Sequence, residues 1–332
     1  MNLPLFLRLL LWPFSSLYGA ATRWRAVFYA NGTLKQKKLP RPVISVGNLT
    51  VGGTGKTPMV IWLAERLLAD GKRVAILTRG YKGQAGTSDE IELMKSRLQN
   101  RVSFGVGPDR YEQGTKLQSS VDVFLLDDGF QHLQLARDLN ILLIDASQPL
   151  GKQTMLPTGR LREPLSAMTR ADLLIFTRAE TVPGTGAAVE KFQNYPVFSA
   201  STKLLGFRQF QAQAPLLARD QLPLGPFYAF CGIGNPRAFF QDLKNWNLSI
   251  ADHCEFPDHH HYDARDLREL QNAARAVGAS ALLTTEKDAQ NLAHLSFDGL
   301  PLYLVVIDLE ISKSALLLHL LHEKLFAGAS VA

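Results

Sequence analysis

Short apolar runs recur along the chain, and most of them end in glycine, aspartate or other polar residues. The runs are residues 43–46, 74–77, 121–126, 141–144, 173–176, 196–198, 227–231, 281–285 and 302–309. Stretches with helical spacing follow several of these runs. Strands that alternate with helices are typical of a mainly parallel sheet covered by helices on both faces. The pattern therefore predicts an α/β protein.

The first 30 residues have a different pattern, because apolar and aromatic side chains crowd together there from Leu3 to Tyr29. Arg8 and Pro13 interrupt the apolar stretch, which excludes both a signal peptide and a helix that spans a bilayer. A helix or helix pair lying in a membrane interface, with its arginines near acidic lipid, fits better. A helix packed on the core of the protein is the alternative.

Residues 43–58 read VISVGNLTVGGTGKTP, an apolar run that meets a glycine-rich turn and then a helical pattern. This is the order of a P-loop, whose backbone N–H groups and helix N-terminus face a phosphate. We expect Lys56 to reach the β- and γ-phosphates of ATP, and the Thr57 hydroxyl to bind Mg²⁺. Thr50 stands where the general pattern has its first glycine. The predicted ATP-binding residues are Thr50, Val51, Gly52, Gly53, Thr54, Gly55, Lys56 and Thr57.

The apolar run at residues 121–126 ends in Asp127, Asp128 and Gly129. A carboxylate at the end of such a strand is the Walker B arrangement, which places an acidic ligand beside the magnesium of a P-loop. Adjacent residues of an extended chain point to opposite faces, so we expect one aspartate at the metal and the other at a loop. An ordinary Asp-Gly turn is the alternative.

Basic residues occur in two loops that follow or lie between predicted strands. Arg79 lies in the segment TRGY, and Arg162 lies in GRLREP. Ligands of doubly wound sheets bind at the carboxyl ends of strands, which favours the TRGY loop as a ligand contact. The two arginines of GRLREP, Arg160 and Arg162, could clamp a phosphate or simply be solvated. The pattern predicts a helix that begins near Asp89, with Ser88 or Asp89 as its cap. From the residues alone, a helix cap is a simpler interpretation of the Asp89 carboxylate than a group that faces the phosphate site.

The net charge of +6 suits an anionic partner, which includes nucleic acid, nucleotide phosphates and an anionic membrane surface. Charge alone does not choose among them. The two cysteines, Cys231 and Cys254, form no paired framework in the sequence and favour a reducing compartment. Three consecutive histidines follow Asp258, but consecutive residues rarely reach one zinc ion together. A histidine paired with a carboxylate at an active site is the better interpretation, with a solvated loop as the alternative.

Segments of the chain also resemble a known family. The segments, in order between residues 47 and 289, are GNLTVGGTGKTP, TRGY, SDE, DDGFQH, GRLREP, FPDHHHY and TTEKDA. They resemble the tetraacyldisaccharide 4'-kinases of lipid A biosynthesis, and the apolar start resembles the membrane-associating N-terminal helix of that family. The resemblance implies transfer of the ATP γ-phosphate, with Mg²⁺, to the 4'-hydroxyl of a tetraacylated glucosamine disaccharide 1-phosphate. It places the enzyme at the cytoplasmic face of the bacterial inner membrane as a peripheral protein.

Residue by residue, the resemblance places the catalytic aspartate of the family at Asp89 and its partner histidine at His259. Ser88 and Ile91 stand where the family has glycine and proline. The interpretation of Asp89 thereby changes from a helix cap to a base that accepts the proton of the sugar hydroxyl. The residues implied for the metal are Thr57, Asp127, Asp128 and Glu90. The residues implied for contacts with phosphate or sugar are Arg79, Arg110, Arg162 and Glu163.

The periodicity fades over residues 204–226, where prolines and glutamines become frequent, and we place a domain boundary there. The predicted segments are a membrane-associating amphipathic helix (residues 1–30), a P-loop kinase domain (residues 31–205) and a smaller C-terminal α/β domain (residues 206–332). The resemblance implies that the smaller domain closes over the active-site cleft.

The same motifs leave two other functions open. One is a membrane-bound P-loop ATPase that acts as a switch, and the other is a P-loop kinase of another small molecule. The second gives the apolar first 30 residues no purpose. For the favoured function we expect ATP and Mg²⁺ as cofactors, a lipid disaccharide as substrate and a membrane surface as partner. We expect no nucleic acid, and the sequence indicates no obligate protein partner.

Overall fold

The structure is a computed structural model that describes residues 4–80, 88–148, 150, 153–179, 192, 194–211, 215–296 and 298–326. The chain forms two compact units. The first contains residues 1–81, 98–201 and 309–332, and the second contains residues 82–97 and 202–308. The chain therefore passes between the units four times, an interleaving that the sequence pattern did not predict. The composition change near residue 204 lies close to the third of these passages.

The helices of the described residues are α1 (Leu5–Ala30), α2 (Lys56–Ala69), α3 (Asp89–Leu98), α4 (Arg110–Leu117), α5 (Pro236–Asn245), α6 (Ala264–Ala276), α7 (Glu286–Leu292) and α8 (Ser314–Phe326). The strands are β1 (Val43–Asn48), β2 (Val74–Thr78), β3 (Ser103–Val106), β4 (Val123–Asp127), β5 (Leu139–Asp145), β6 (Leu173–Thr177), β7 (Val197–Gln209), β8 (Phe227–Cys231), β9 (Ile250–Glu255), β10 (Ala281–Thr285) and β11 (Leu302–Ile311).

In the first unit the strands lie in the order β3-β2-β4-β1-β5-β6-β7, and each neighbouring pair is parallel. Strands β1, β2, β4, β5 and β6 are buried along their whole length. A parallel strand covered on both faces needs apolar side chains at successive positions, which explains why these strands read as continuous apolar runs. The predicted α/β class with a mainly parallel sheet is confirmed.

In the second unit the order is β11-β10-β8-β9, and β8 pairs in parallel with both β9 and β10. Strands β10 and β11 are parallel as well. Phe230 and Tyr262 lie in one apolar cluster of this unit, with their rings in edge contact. Strand β9 was not predicted, because it is the last strand in the order and most of its side chains are exposed. An exposed edge strand needs no apolar run.

Helix α1 is one continuous helix that includes Pro13, whereas the sequence pattern allowed a helix or a helix pair. Ser15 is its buried residue. Its Oγ lies 2.9 Å from Thr158 Oγ1 and donates to the Met155 carbonyl at 3.2 Å. Among the described helices, none combines the length and the apolar character needed to cross a bilayer.

Candidate functional site

The predicted P-loop connects β1 to α2 in the first unit. Gly55 precedes the first residue of α2 with φ +82°, and Gly52 has φ +109°. These are left-handed backbone conformations that glycine adopts without a steric penalty. Lys56 is the first residue of α2. The first backbone N–H groups of a helix have no partner within the helix, so the start of α2 offers hydrogen-bond donors at the end of the loop. This is the arrangement that binds a phosphate.

The side chain of Asn48 fixes the conformation of the P-loop through hydrogen bonds. This buried amide donates through Nδ2 to Thr54 Oγ1 and to the Thr50 carbonyl, both at 2.8 Å. The backbone carbonyl of Asn48 accepts a hydrogen bond from Gln131 Nε2 at 2.9 Å. Thr177 Oγ1 donates to the Thr54 carbonyl at 3.2 Å. Side chains from β1 and β6 and from the turn after β4 thus fix the loop conformation.

Arg160 fixes the position of the P-loop, a role that the sequence did not predict for it. Its guanidinium donates to the Val51 carbonyl through Nε at 3.0 Å and through Nη2 at 2.7 Å. The backbone N–H of Val51 donates to the Arg160 carbonyl at 2.8 Å. Of the two arginines in GRLREP, the first is therefore committed to the shape of the loop.

The second arginine of that segment, Arg162, donates through Nη1 to both carboxylate oxygens of Asp128, at 2.9 and 2.7 Å. Lys56 Nζ lies 3.6 Å from the same carboxylate. Burial alone would raise the pKa of Asp128, but the charges of Lys56 and Arg162 outweigh it and the pKa is lowered. Asp128 has φ +47°, which turns the chain immediately after β4. Its carboxylate is ionised and engaged by two cations.

Asp127 is the last residue of β4, is only 3% exposed, and lies opposite Val46 of β1 in the parallel register. Its Oδ2 accepts from Thr78 Oγ1 at 3.3 Å. Magnesium in nucleotide sites is held by one or two carboxylates together with hydroxyl, phosphate and water oxygens. The carboxylate of Asp127 and the hydroxyl of Thr57 supply this kind of donor, so the residues present fit Mg²⁺. In the described ranges no group of three or more His, Cys, Asp or Glu side chains forms a closed metal cage.

The other predicted phosphate contacts of the first unit have different surroundings. Arg110 is 7% exposed and donates through Nη1 to the Pro108 carbonyl at 3.0 Å. Burial and then the charge of Arg79 lower the pKa of Arg110, while Asp128 opposes them. Arg110 therefore lies among the charges of this site. Glu163 forms a 2.7 Å ion pair with Arg170 and is almost fully buried, so its carboxylate has a structural partner.

In the second unit the structure brings together Asp89 and His259, which are far apart in the sequence. His259 Nδ1 lies 3.0 Å from Asp89 Oδ1 and 2.9 Å from Oδ2. The Asp89 side chain is 4% exposed and the His259 side chain 38%. Ser88 occupies the cap position of α3, where its Oγ accepts from the Ile91 N–H at 3.4 Å. The Asp89 carboxylate instead pairs with the histidine.

The surroundings of this pair favour an ionised carboxylate. Burial alone would raise the pKa of Asp89, but the hydrogen bond with His259 and the charge of Lys287 outweigh it, and the pKa is lowered. The hydrogen bond with Asp89 raises the pKa of His259 against the opposing effect of burial. His259 has φ +62°, and its N–H donates to the Gly232 carbonyl at 3.1 Å. A non-glycine residue in this conformation is held there by its surroundings.

Glu90, the remaining predicted metal ligand, follows Asp89 in α3 and belongs to the second unit.

Comparison with known proteins identifies the family of the chain. The family model described as tetraacyldisaccharide-1-P 4'-kinase (LpxK) matches residues 7–325. The tetraacyldisaccharide 4'-kinase of Geobacter metallireducens is 41% identical over 297 residues, which cover 83% of this chain and 86% of that protein. The Geobacter sulfurreducens protein of the same name is 41% identical over 322 residues, covering 89% of this chain and 87% of its own.

A solved structure matches nearly the whole chain. The crystal structure of LpxK from Aquifex aeolicus in complex with ATP has a TM-score of 0.78 and 35% sequence identity, and the match covers 96% of this chain and 100% of that one. The chain therefore belongs to the tetraacyldisaccharide-1-P 4'-kinase family.

Proposed function

We propose that this protein transfers the γ-phosphate of ATP to the 4'-hydroxyl of a tetraacyl disaccharide 1-phosphate, with the Asp89–His259 pair as the groups that activate the hydroxyl. As a member of its family the protein is an ATP-dependent kinase of lipid A biosynthesis that acts on a lipid disaccharide. The observation that carries the assignment of residues is the short contact of His259 Nδ1 with both oxygens of the Asp89 carboxylate.

On the donor side, the loop from Thr50 to Thr57 receives the phosphates of ATP, and Lys56 binds the β- and γ-phosphate oxygens. Thr57 and Asp127 would hold Mg²⁺, which when bound would neutralise charge on the phosphates. Asp128 keeps the ammonium group of Lys56 and the guanidinium of Arg162 in place through its two ion pairs. Arg162 and Arg110 then add positive charge where the transferred group carries negative charge.

On the acceptor side, the ionised Asp89 carboxylate accepts the proton of the sugar hydroxyl. The hydroxyl oxygen forms its bond to the γ-phosphorus as the bond from that phosphorus to the bridging oxygen of ADP breaks. The products are the 4'-phosphorylated lipid, ADP and a proton on Asp89. His259 fixes the orientation of the carboxylate, because its Nδ1 contacts both oxygens of Asp89.

Access to a lipid substrate is assigned to helix α1. Seven large apolar side chains of its first half are 61 to 74% exposed, namely Leu5, Phe6, Leu9, Leu10, Trp12, Phe14 and Leu17. Exposed apolar side chains in such number favour contact with a membrane surface. We place the protein peripherally at the cytoplasmic face of the inner membrane, where ATP and the lipid are both within reach. This function needs no obligate protein partner.

The test is incubation of the purified protein with γ-labelled ATP, Mg²⁺ and a tetraacyl disaccharide 1-phosphate, followed by lipid extraction. We expect label in the lipid for the wild type and almost none for Asp89→Asn. Label recovered only as free phosphate would support the ATPase switch instead. An unlabelled lipid together with efficient phosphorylation of a soluble sugar would support a small-molecule kinase.

A further inference from the structure

Four ionisable side chains of the second unit form a closed ring: Asp89, His259, Asp258 and Lys287. His259 Nδ1 contacts Asp89, as described above, and His259 Nε2 lies 3.7 Å from Asp258 Oδ2. Asp258 Oδ1 lies 3.1 Å from Lys287 Nζ, and Lys287 Nζ lies 3.6 Å from Asp89 Oδ2. Each of the two carboxylates therefore faces both Lys287 and His259, and each ring nitrogen of the histidine faces one carboxylate.

Lys287 is largely buried, and hydrogen bonds of its neighbours fix the position of its backbone. Its side chain is 17% exposed, and it is the second residue of α7. The next residue, Asp288, is 1% exposed and accepts from the Gly232 N–H and the Tyr262 hydroxyl, both at 2.8 Å. Thr285 Oγ1 donates to the other oxygen of Asp288 at 2.6 Å. The start of α7 is thereby tied to the turn after β8 and to Tyr262.

The same ties reach the histidine. The Gly232 carbonyl accepts the His259 N–H at 3.1 Å, and Tyr262 lies three residues after His259. The backbone that carries His259 and the backbone that carries Lys287 are thus joined through Asp288. A lysine whose backbone is fixed in this way can bridge two carboxylates, because its ammonium group has three donors.

We propose that Lys287 is a positioning residue for phosphoryl transfer. It holds Asp89 by Oδ2 and Asp258 by Oδ1, so that the imidazole of His259 is kept between the two carboxylates and the Asp89 carboxylate has a single orientation. This inference rests on the proposed function, because it assigns Lys287 an effect only through Asp89 and His259. Lys287 touches no substrate in this role, which distinguishes it from a lysine that binds a phosphate directly.

The expected signature is a fall in kcat without a change in KM. A misplaced base lowers the rate of the chemical step, and a shift on the order of 1 Å can cost about 100-fold. We expect Lys287→Met to lower kcat by about 10- to 100-fold and to leave the KM for ATP and for the lipid disaccharide within about twofold. Lys287→Arg keeps the charge and several donors, so it should recover most of the lost rate. Lys95→Met is the matched control, since Lys95 lies in α3 and forms an exposed pair with Glu92.

A double-mutant comparison tests the ring as a unit. Asp258→Asn removes one contact of Lys287, and the effects of Asp258→Asn and Lys287→Met on kcat should not be additive when combined. Additive effects, an unchanged kcat in Lys287→Met, or a KM raised tenfold or more in that variant would each overturn the positioning role. If Lys287→Met fails to fold, as judged by circular dichroism, then Lys287→Arg and Asp258→Asn decide: a raised KM in Lys287→Arg or an unchanged kcat in Asp258→Asn would overturn it.

The wild type and Asp89→Asn are measured in the same lipid-phosphorylation assay. Label in the lipid with the wild type and its loss in Asp89→Asn keep the proposed function intact even where Lys287 proves dispensable. Absence of lipid phosphorylation in the wild type would instead overturn the proposed function.

Discussion

Arg162 donates to both carboxylate oxygens of Asp128, and Lys56 Nζ lies 3.6 Å from the same carboxylate. The adjacent Asp127 lies at the end of β4, next to the strand that leads into the P-loop, and accepts from Thr78. Two neighbouring aspartates that look alike in the sequence therefore have different surroundings. Asp128 is paired with two cationic side chains, so of the two aspartates we expect Asp127 to bind the metal ion.

The two aspartates should respond differently to magnesium. We expect Asp127→Asn to raise the Mg²⁺ concentration needed for half-maximal activity by tenfold or more, on the order of 1.4 kcal/mol or more of binding free energy. Asp128→Asn should raise the KM for ATP with a smaller effect on the Mg²⁺ requirement. Initial rates over an Mg²⁺ titration at fixed ATP measure both. Asp70→Asn, an exposed aspartate at the end of α2, is the control. The same Mg²⁺ response in both variants would contradict the division of roles.

Removing either member of the Asp89–His259 pair should slow the chemistry while the fold remains. A general base contributes about 10²- to 10⁴-fold, so Asp89→Asn should lower kcat by that amount. His259→Gln should have a smaller effect, because the base itself remains. His261→Gln is a matched control, since His261 is exposed and lies two residues away. Near-normal turnover in Asp89→Asn, with circular dichroism unchanged, would exclude the residue as the base.

The P-loop and most of the strands of the sheet were predictable because their signals are local. A parallel strand buried on both faces appears in the sequence as a continuous apolar run. The glycines that mark the P-loop lie within a few residues of one another, directly after β1. The contacts of Arg160 with Val51 were not predictable, because 109 residues separate the two. The sequence marked the GRLREP loop as basic but could not show that Arg160 holds the P-loop and Arg162 holds Asp128.

The same limit applies to the second unit. The pairing of Asp89 with His259 followed from resemblance, since the residues alone favoured a helix cap for Asp89. Lys287 carried no signal that would have placed it beside Asp89, because a lysine near the start of a short helix is ordinary. The interleaving of the two units was equally hidden, since apolar patterns identify strands and helices but do not say which unit each of them joins.

The amide of Asn48 should contribute to both stability and ATP binding. Asn48→Ala removes the donors to Thr54 and to the Thr50 carbonyl in a buried site. Leaving buried acceptors without a partner costs about 1–3 kcal/mol. We expect a lower free energy of unfolding in urea and a higher KM for ATP. Asn245→Ala is the control, because Asn245 makes an exposed side-chain contact with Gln241. Unchanged stability and ATP affinity would show that the loop holds its shape without the amide.

The exposed apolar side chains of α1 should contribute to membrane binding but not to the stability of the folded protein. Leu9 and Leu10 are 68 and 66% exposed, so replacing both with serine should leave the melting temperature almost unchanged. Burying a leucine contributes about 1.5–3 kcal/mol, so loss of even part of this should weaken binding to anionic vesicles by tenfold or more. Ser15→Val is the contrasting variant, because it removes the contacts with Thr158 and Met155 and should lower stability instead. Vesicle sedimentation that is equal for the Leu9→Ser/Leu10→Ser double variant and the wild type would contradict the assignment.

The ion pair between Arg73 and Asp122 should make the free energy of unfolding depend on pH in the acid range. Arg73 donates to Asp122 from its backbone N–H at 2.9 Å, from Nε at 3.1 Å and from Nη2 at 2.8 Å. The hydrogen bonds from the Arg73 side chain, and then from its backbone, lower the pKa of Asp122 from 3.8 to about 2. In the unfolded chain the carboxyl takes up a proton near its ordinary pKa, whereas in the folded protein it stays ionised down to about pH 2.

The stabilisation is therefore fully present above the unfolded pKa of about 4 and is lost as the pH falls towards 2. Asp122→Asn lacks this ionisable group, so the wild type should be more stable than the variant by a constant amount between neutral pH and about pH 5, and the difference should narrow below about pH 4. Urea unfolding at a series of pH values measures it. Asp220→Asn, which also removes one carboxylate at an exposed position, is measured in parallel as the control. A difference that widens on acidification would have the wrong sign and would exclude the ion pair as its source.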